Sequence, residues 1–291
     1  MKQPLFTGAC TALITPFLGD KINFPLLERL IRRQCEAGIL AIVICGTTGE
    51  SPTLSDAEKL ELFRRAKEAA GKDALIIAGT GSNCTEHSVA LSRAAEQMGA
   101  DALLVVSPYY NKATEDGLYL HYSSICAQVH IPVIAYNVPS RTGIDISVSV
   151  CKRLSQIQNL AGIKEASGNI TKIARIKAEC PDLPIWSGND DQIVPIMALG
   201  GNGVISVLSN LLPVQTQAMA KAALDGDFDT AAHLQIKLLP LIEALFCEVN
   251  PIPVKAAMKL MGYDCGDCRP PLTPMQPQKL KILEKVLSDL I

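Results

Sequence analysis

The sequence predicts an α/β protein, a (β/α)8 TIM barrel followed by a small C-terminal helical region, and three observations carry that expectation. Short β-rich runs alternate with amphipathic helical stretches, the pattern of parallel strands joined by helices. Eight such units fit in roughly the first 225 residues, close to the usual size of this barrel. After Leu224 the strand signal stops and only helical periodicity continues. The expected division is therefore residues 1–224 for the barrel with its site and residues 225–291 for the helical region.

The first strand is expected over Ala9 to Thr15, an uncharged run closed by Pro16. A helix over Pro25 to Ala37 follows, with apolar and charged residues on alternate faces. Ala41 to Cys45 is the second strand, rich in β-branched residues, and leads through a glycine-bounded turn to a helix over Ala57 to Ala70. Leu75 to Ala78, the helix Glu86 to Met98, and Ala102 to Val106 repeat the unit. Val133 to Asn137 and Leu160 to Lys164 are the fifth and sixth strands, the latter followed by a helix over Ile170 to Glu179. Ile185 to Ser187 and Gly203 to Ser206 complete the set. Asp225-Gly226-Asp227 then opens a stretch that reads only as helix, over Asp229 to Phe246, Pro253 to Met261 and Gln276 to Leu290. Pro251, Pro253, Pro270, Pro271, Pro274 and Pro277 punctuate it, because residues before proline are pushed out of helical geometry.

Composition excludes several classes. With 291 residues, 48% of them hydrophobic, the chain can bury a large core. A formal charge of −2, with Lys and Arg scattered along the chain, gives no polyanion-binding signature, so neither nucleic acid nor an anionic membrane is an expected partner. Met1 to Phe6 lacks the apolar stretch of a signal peptide, and apolar runs such as Ile39 to Cys45 are too short to span a bilayer. A soluble, cytoplasmic protein is expected. Most of the ten cysteines sit in apolar patterns, as Cys10, Cys35, Cys45, Cys126 and Cys151 do, and read as reduced, small hydrophobes. Cys265 and Cys268 have ligand spacing but no second pair nearby, and read as a loop pair. None of the four histidines, His87, His121, His130 and His233, closes a strand, and no metal-ligand spacing appears. Neither metal nor organic cofactor is expected.

In such a barrel the chemistry sits where strands end. Gly162-Ile163-Lys164-Glu165 delivers one lysine to the end of a strand walled by Leu160, Ala161 and Ile163, and hydrocarbon surroundings disfavour an ammonium. A neutral amine attacks ketones; the plainer alternative is a lysine whose ammonium snorkels to water. Gly46-Thr47-Thr48-Gly49-Glu50-Ser51 offers amides and hydroxyls suited to an anion, or an ordinary strand-to-helix turn. Tyr109 and Tyr110 follow strand four; Tyr136 closes strand five, one strand from Lys164, where its phenol can move protons, the plainer alternative for each being a half-buried packing residue with its hydroxyl in water. Arg141 carries a planar fork matched to a carboxylate; unpaired, a loop arginine is otherwise solvated surface.

These stretches, together with Tyr136-Asn137-Val138-Pro139-Ser140-Arg141-Thr142-Gly143, Thr15-Pro16, Pro108-Tyr109-Tyr110-Asn111, Gly200 to Ser206 and Asn250 to Lys255, closely resemble the motifs of the 4-hydroxy-tetrahydrodipicolinate synthase (dihydrodipicolinate synthase) family over the whole chain. The resemblance implies condensation of pyruvate with L-aspartate 4-semialdehyde on the route to diaminopimelate and lysine. It implies a Schiff base between Lys164 and pyruvate, with Tyr136 moving protons through a relay with Thr47 and with Tyr110 of a neighbouring subunit. Thr48 and the carbonyl of Ile205 would hold pyruvate, Gly188 would line the pocket, and Arg141 would bind the semialdehyde's carboxylate. A homotetramer of paired dimers is implied too. Ser51, Asn83 and Tyr109 match the family's lysine effector site, whereas His87 and Lys59 stand where sensitive members carry other groups, so weak or absent feedback is expected. N-acetylneuraminate lyase and 2-keto-3-deoxy sugar acid aldolases resemble the chain in barrel, lysine and tyrosine but generally lack the Pro139-Ser140-Arg141 pattern. A barrel that only binds a phosphate or carboxylate at Gly46 to Gly49 is the alternative outside catalysis.

Overall fold

The computed structural model describes residues 2–290, and within them eight parallel strands close into a barrel. In chain order they are β1 (Gly8–Ala12), β2 (Ala41–Ile44), β3 (Leu75–Gly79), β4 (Ala102–Val106), β5 (Val133–Asn137), β6 (Leu160–Glu165), β7 (Ile185–Ser187) and β8 (Gly203–Ser206). Each pairs with the next, and β1 closes the ring on β8 through Cys10 and Ile205. Helices α1 (Phe24–Glu36), α2 (Asp56–Ala70), α3 (Thr85–Gln97), α4 (Glu115–Cys126), α5 (Val148–Leu154), α6 (Ile170–Glu179), α7 (Ile193–Ala198) and α8 (Pro213–Leu224) form the outer layer. The C-terminal stretch is α9 (Phe228–Leu245), α10 (Ile252–Leu260) and α11 (Pro277–Leu290). No helix among the described residues is long and apolar enough to cross a membrane.

Strand alternation divides the core in two. Ala41 and Val43 face the barrel axis with Ile77, Leu104, Ile134, Tyr136 and Trp186, while Ile42 and Ile44 face the helices. Both faces of every strand are buried, which explains why the strands read as continuous apolar runs. Phe6 stacks on Trp186 at 4.8 Å between ring centroids, and Trp186 Nε1 donates to the Phe6 carbonyl at 3.1 Å. That contact fills the barrel interior between the segment before β1 and the inner face of β7.

Two differences from the sequence reading have simple causes. β1 ends at Ala12 instead of Thr15: the Leu13 amide makes one more bond to Val43, and then Ile14 and Thr15 turn to loop contacts, the Ile14 amide to Asn210 Oδ1 at 3.1 Å and Thr15 Oγ1 to the Gly49 carbonyl at 2.7 Å. A two-stranded hairpin, Phe17–Leu18 with Lys21–Ile22, follows and was not legible, since strands this short have no periodicity. Pro240 lies inside α9, which continues to Leu245 despite the lost backbone donor.

Candidate active site

Lys164 is on β6 and pairs in register with Tyr136 on β5 and Trp186 on β7. Residues in register share a face, so all three point into the barrel. Lys164 is 5% exposed, and its Nζ lies 4.4 Å from the Tyr136 ring centroid. Gly188 follows β7, and a Cβ there would come 3.1 Å from Lys164 Cε and 2.6 Å from the Ala166 methyl. Only glycine leaves the lysine stem its room. Cys10, deeper on the inner wall, has its thiol pushed far up by burial and stays protonated.

After β2 the chain turns sharply. The amides of Gly49, Glu50 and Ser51 donate to the carbonyls of Gly46 and Thr47, which leaves the Thr47 and Thr48 amides without a partner among the described residues. Cys45 and Glu50 each adopt φ of 57°, left-handed geometry that is uncommon for residues with a Cβ. Buried contacts impose it on Glu50: its carboxylate accepts from Lys255 Nζ at 2.8 Å and from the Arg269 amide at 2.8 Å. Ser55 and Glu58 then form a capping box that starts α2. Arg269 binds the Glu58 carboxylate and holds it down to about 2. Thr48, 2% exposed, accepts from Asn250 Nδ2 at 3.0 Å.

Arg141 sits on a single helical turn, Pro139–Thr142, that Gly143 ends at φ of 71°. Its Nη2 donates to the Asn250 carbonyl at 3.4 Å. Beneath this turn Asn137 Nδ2 donates to Glu165 at 2.9 Å and Asp145 at 2.7 Å, while its Oδ1 accepts from the Ile146 amide. Lys172 Nζ sits 3.2 Å from Glu165 and 2.5 Å from Asp145. Alternation sends Glu165 away from the barrel axis, opposite Lys164, so one strand end supplies both the amine and the anchor of the Arg141 turn.

A cavity of about 670 Å³ opens over the strand ends, with Thr47, Tyr136 and Arg141 on its wall and Ser51, His87 and Tyr109 farther out. Asn83 is exposed and outside this lining, where Ser82 stands instead. His87 Nε2 lies 2.8 Å from Asp56, and the 7% exposed Lys59 reaches the same carboxylate at 3.7 Å. Ile205 is buried on β8; the loop beyond it is fixed by Asp190, whose Oδ2 accepts from the Val207 and Leu208 amides at 2.9 Å each. Burial raises the Asp190 carboxyl's pKa. Tyr110 is not gathered with the others: it is 86% exposed, at φ of 73°. No three His, Cys, Asp or Glu side chains among the described residues cluster as metal ligands would.

Sequence reasoning missed Asn137, Glu165, Lys172, Asp190 and the side-chain role of Asn250. A charged residue directly after Lys164 in a buried strand was the one available signal, since it has to find a partner on the outer face.

Residues 5–290 match the model of the dihydrodipicolinate synthetase family. A 4-hydroxy-tetrahydrodipicolinate synthase of Caldicellulosiruptor saccharolyticus is 50% identical over 288 residues, 99% of this chain and 98% of that protein. Its counterpart in Acetivibrio thermocellus is 48% identical over 290 residues, 99% of both. The solved structure of the chloride-inhibited dihydrodipicolinate synthase from Acinetobacter baumannii, complexed with pyruvate, superposes with a TM-score of 0.96 at 40% identity, covering 98% of this chain and 99% of that one. By sequence along nearly its full length and by fold alike, the chain belongs to the dihydrodipicolinate synthetase family.

Proposed function

We propose that this enzyme is a 4-hydroxy-tetrahydrodipicolinate synthase, condensing pyruvate with L-aspartate 4-semialdehyde through a Schiff base on Lys164. The observation that carries the reading is a buried amine in register with a tyrosine that lines the cavity, 4.4 Å from its ring. Lys164 Nζ adds to the keto carbon of pyruvate, water leaves, and the iminium draws electrons from the adjacent methyl group. Loss of a methyl proton gives an enamine, whose carbon attacks the aldehyde to form the new C–C bond. The substrate's own amine then displaces Lys164 from the imine carbon, which closes the ring and frees the enzyme.

Tyr136 moves the protons in this scheme, relayed through Thr47 and the Tyr110 of a neighbouring subunit. Thr48 and the Ile205 carbonyl hold the pyruvate end beside Gly188. Arg141, exposed at the cavity's rim, binds the semialdehyde's carboxylate. The chemistry belongs to residues 1–224 and its support to residues 225–291. We take the cytoplasm as the compartment, in keeping with ten unpaired cysteines.

Turnover tests the reading. Wild type should form the cyclic product from the two substrates, and Lys164→Ala should lose on the order of 10³-fold or more in kcat. Arg141→Ala should raise KM for the semialdehyde by about 10- to 100-fold with little change for pyruvate, the usual loss of a charge-assisted hydrogen bond. Turnover only with sialic acid or a 2-keto-3-deoxy sugar acid would overturn it. Lys59 and His87 take up the Asp56 carboxylate that also lines the outer cavity, which leaves a cationic effector little negative charge to bind, so millimolar lysine should inhibit weakly or not at all; abolished activity would contradict this.

A further inference from the structure

Asn250 reaches the site from the C-terminal region, 202 residues along the chain from Thr48. It is 5% exposed; its Nδ2 donates to Thr48 Oγ1 at 3.0 Å, and its backbone carbonyl accepts from Arg141 Nη2 at 3.4 Å. Its Oδ1 is buried with no partner. A buried amide with one end unpaired is costly, and an apolar side chain of similar size would avoid that cost. The gain lies at Thr48. A threonine hydroxyl carries one proton and accepts through its lone pairs. With a lone pair facing the Asn250 amide, that proton is turned away from Asn250 and is available to an acceptor in the site. A carboxylate accepts and never donates, so this is the hydroxyl polarity that a keto acid requires.

We propose that Asn250 is a positioning residue that sets the polarity of the Thr48 hydroxyl, directing its proton at the carboxylate of the keto-acid substrate. The inference rests on the proposed function, in which Thr48 holds the pyruvate end, and it takes the group that Thr48 meets there to be the carboxylate. Through its backbone carbonyl the same residue also steadies Arg141, so one residue of the helical region touches both carboxylate-binding groups.

The test is steady-state kinetics with pyruvate and aspartate semialdehyde above neutral pH, for wild type, Asn250→Ala, Asn250→Asp, Thr48→Val and the Thr48→Val/Asn250→Ala double variant. Asn250→Ala should raise KM for pyruvate about fivefold, the effect of one lost hydrogen bond, with kcat within about twofold of wild type. Asn250→Asp should be worse than Ala, because an ionised carboxylate accepts only, captures the Thr48 proton and repels the substrate. A space-filling role predicts the reverse order, since Asp has the shape of Asn. The double variant should be no worse than Thr48→Val alone, as coupled residues are not additive. Asp milder than Ala, or additive losses, would overturn the inference while wild-type turnover kept the function intact. A wild type that fails to turn over these substrates overturns the function, and the inference with it.

Discussion

His121, 2% exposed, has little room for a second proton: Nδ1 meets Thr85 Oγ1 at 2.9 Å and Nε2 is buried without a partner. Burial lowers its pKa from 6.5 to about 4. The unfolded chain binds a proton near 6.5 and the folded one does not until about 4, so stability is complete above 6.5 and drains away as pH falls through that window. The loss amounts to about 3 kcal/mol at the acid end. His121→Gln should flatten the dependence of the unfolding midpoint on pH between those limits; an unchanged slope would contradict the assignment. Among the candidate site residues, the positions of Lys164, Tyr136 and Arg141 were legible because each lies at a strand end or in the loop after it, and local pattern locates strand ends. Asn250 was not legible in that role, because what it does depends on a contact with Thr48 that no periodicity encodes.

Among the elements, the turn after β2 shows how the helical region serves the barrel. Lys255 on α10 is 3% exposed and meets Glu50 at 2.8 Å, with its Nζ also 4.4 Å from the Phe17 ring. Removing one member of a buried pair leaves the other charge uncompensated, so Lys255→Met should cost about 3–5 kcal/mol. Adding Glu50→Gln should recover a large part of it, because the orphaned carboxylate is gone. Equal destabilisation of single and double variants in denaturant titrations would show that the loss does not come from an uncompensated Glu50 charge. The barrel's alternation was readable in advance since parallel strands buried on both faces stay apolar throughout. The hairpin at Phe17 to Ile22 and the strained turn at Glu50 were not, because tertiary contacts impose them and nothing in their local sequence announces them.

For the whole molecule, a closed parallel barrel with its interior filled by side chains such as Phe6 and Trp186 places the cavity at the ends of the strands. Tyr110, 86% exposed in left-handed geometry, stands outside the residues that line the cavity. In the proposed homotetramer it enters the neighbouring subunit's relay. Sedimentation of the wild type should then give an assembly larger than one chain, and Tyr110→Phe should lower kcat by about 10- to 100-fold, the contribution of a proton-transfer group, without changing the folded mass. A fully active monomer would exclude the exchange. Every later step of the proposed reaction depends on the covalent bond between Lys164 and pyruvate. Borohydride added with pyruvate should leave one pyruvate-derived mass increment per chain, confined to the peptide that carries Lys164; an unmodified chain, or an increment on another lysine, would contradict it.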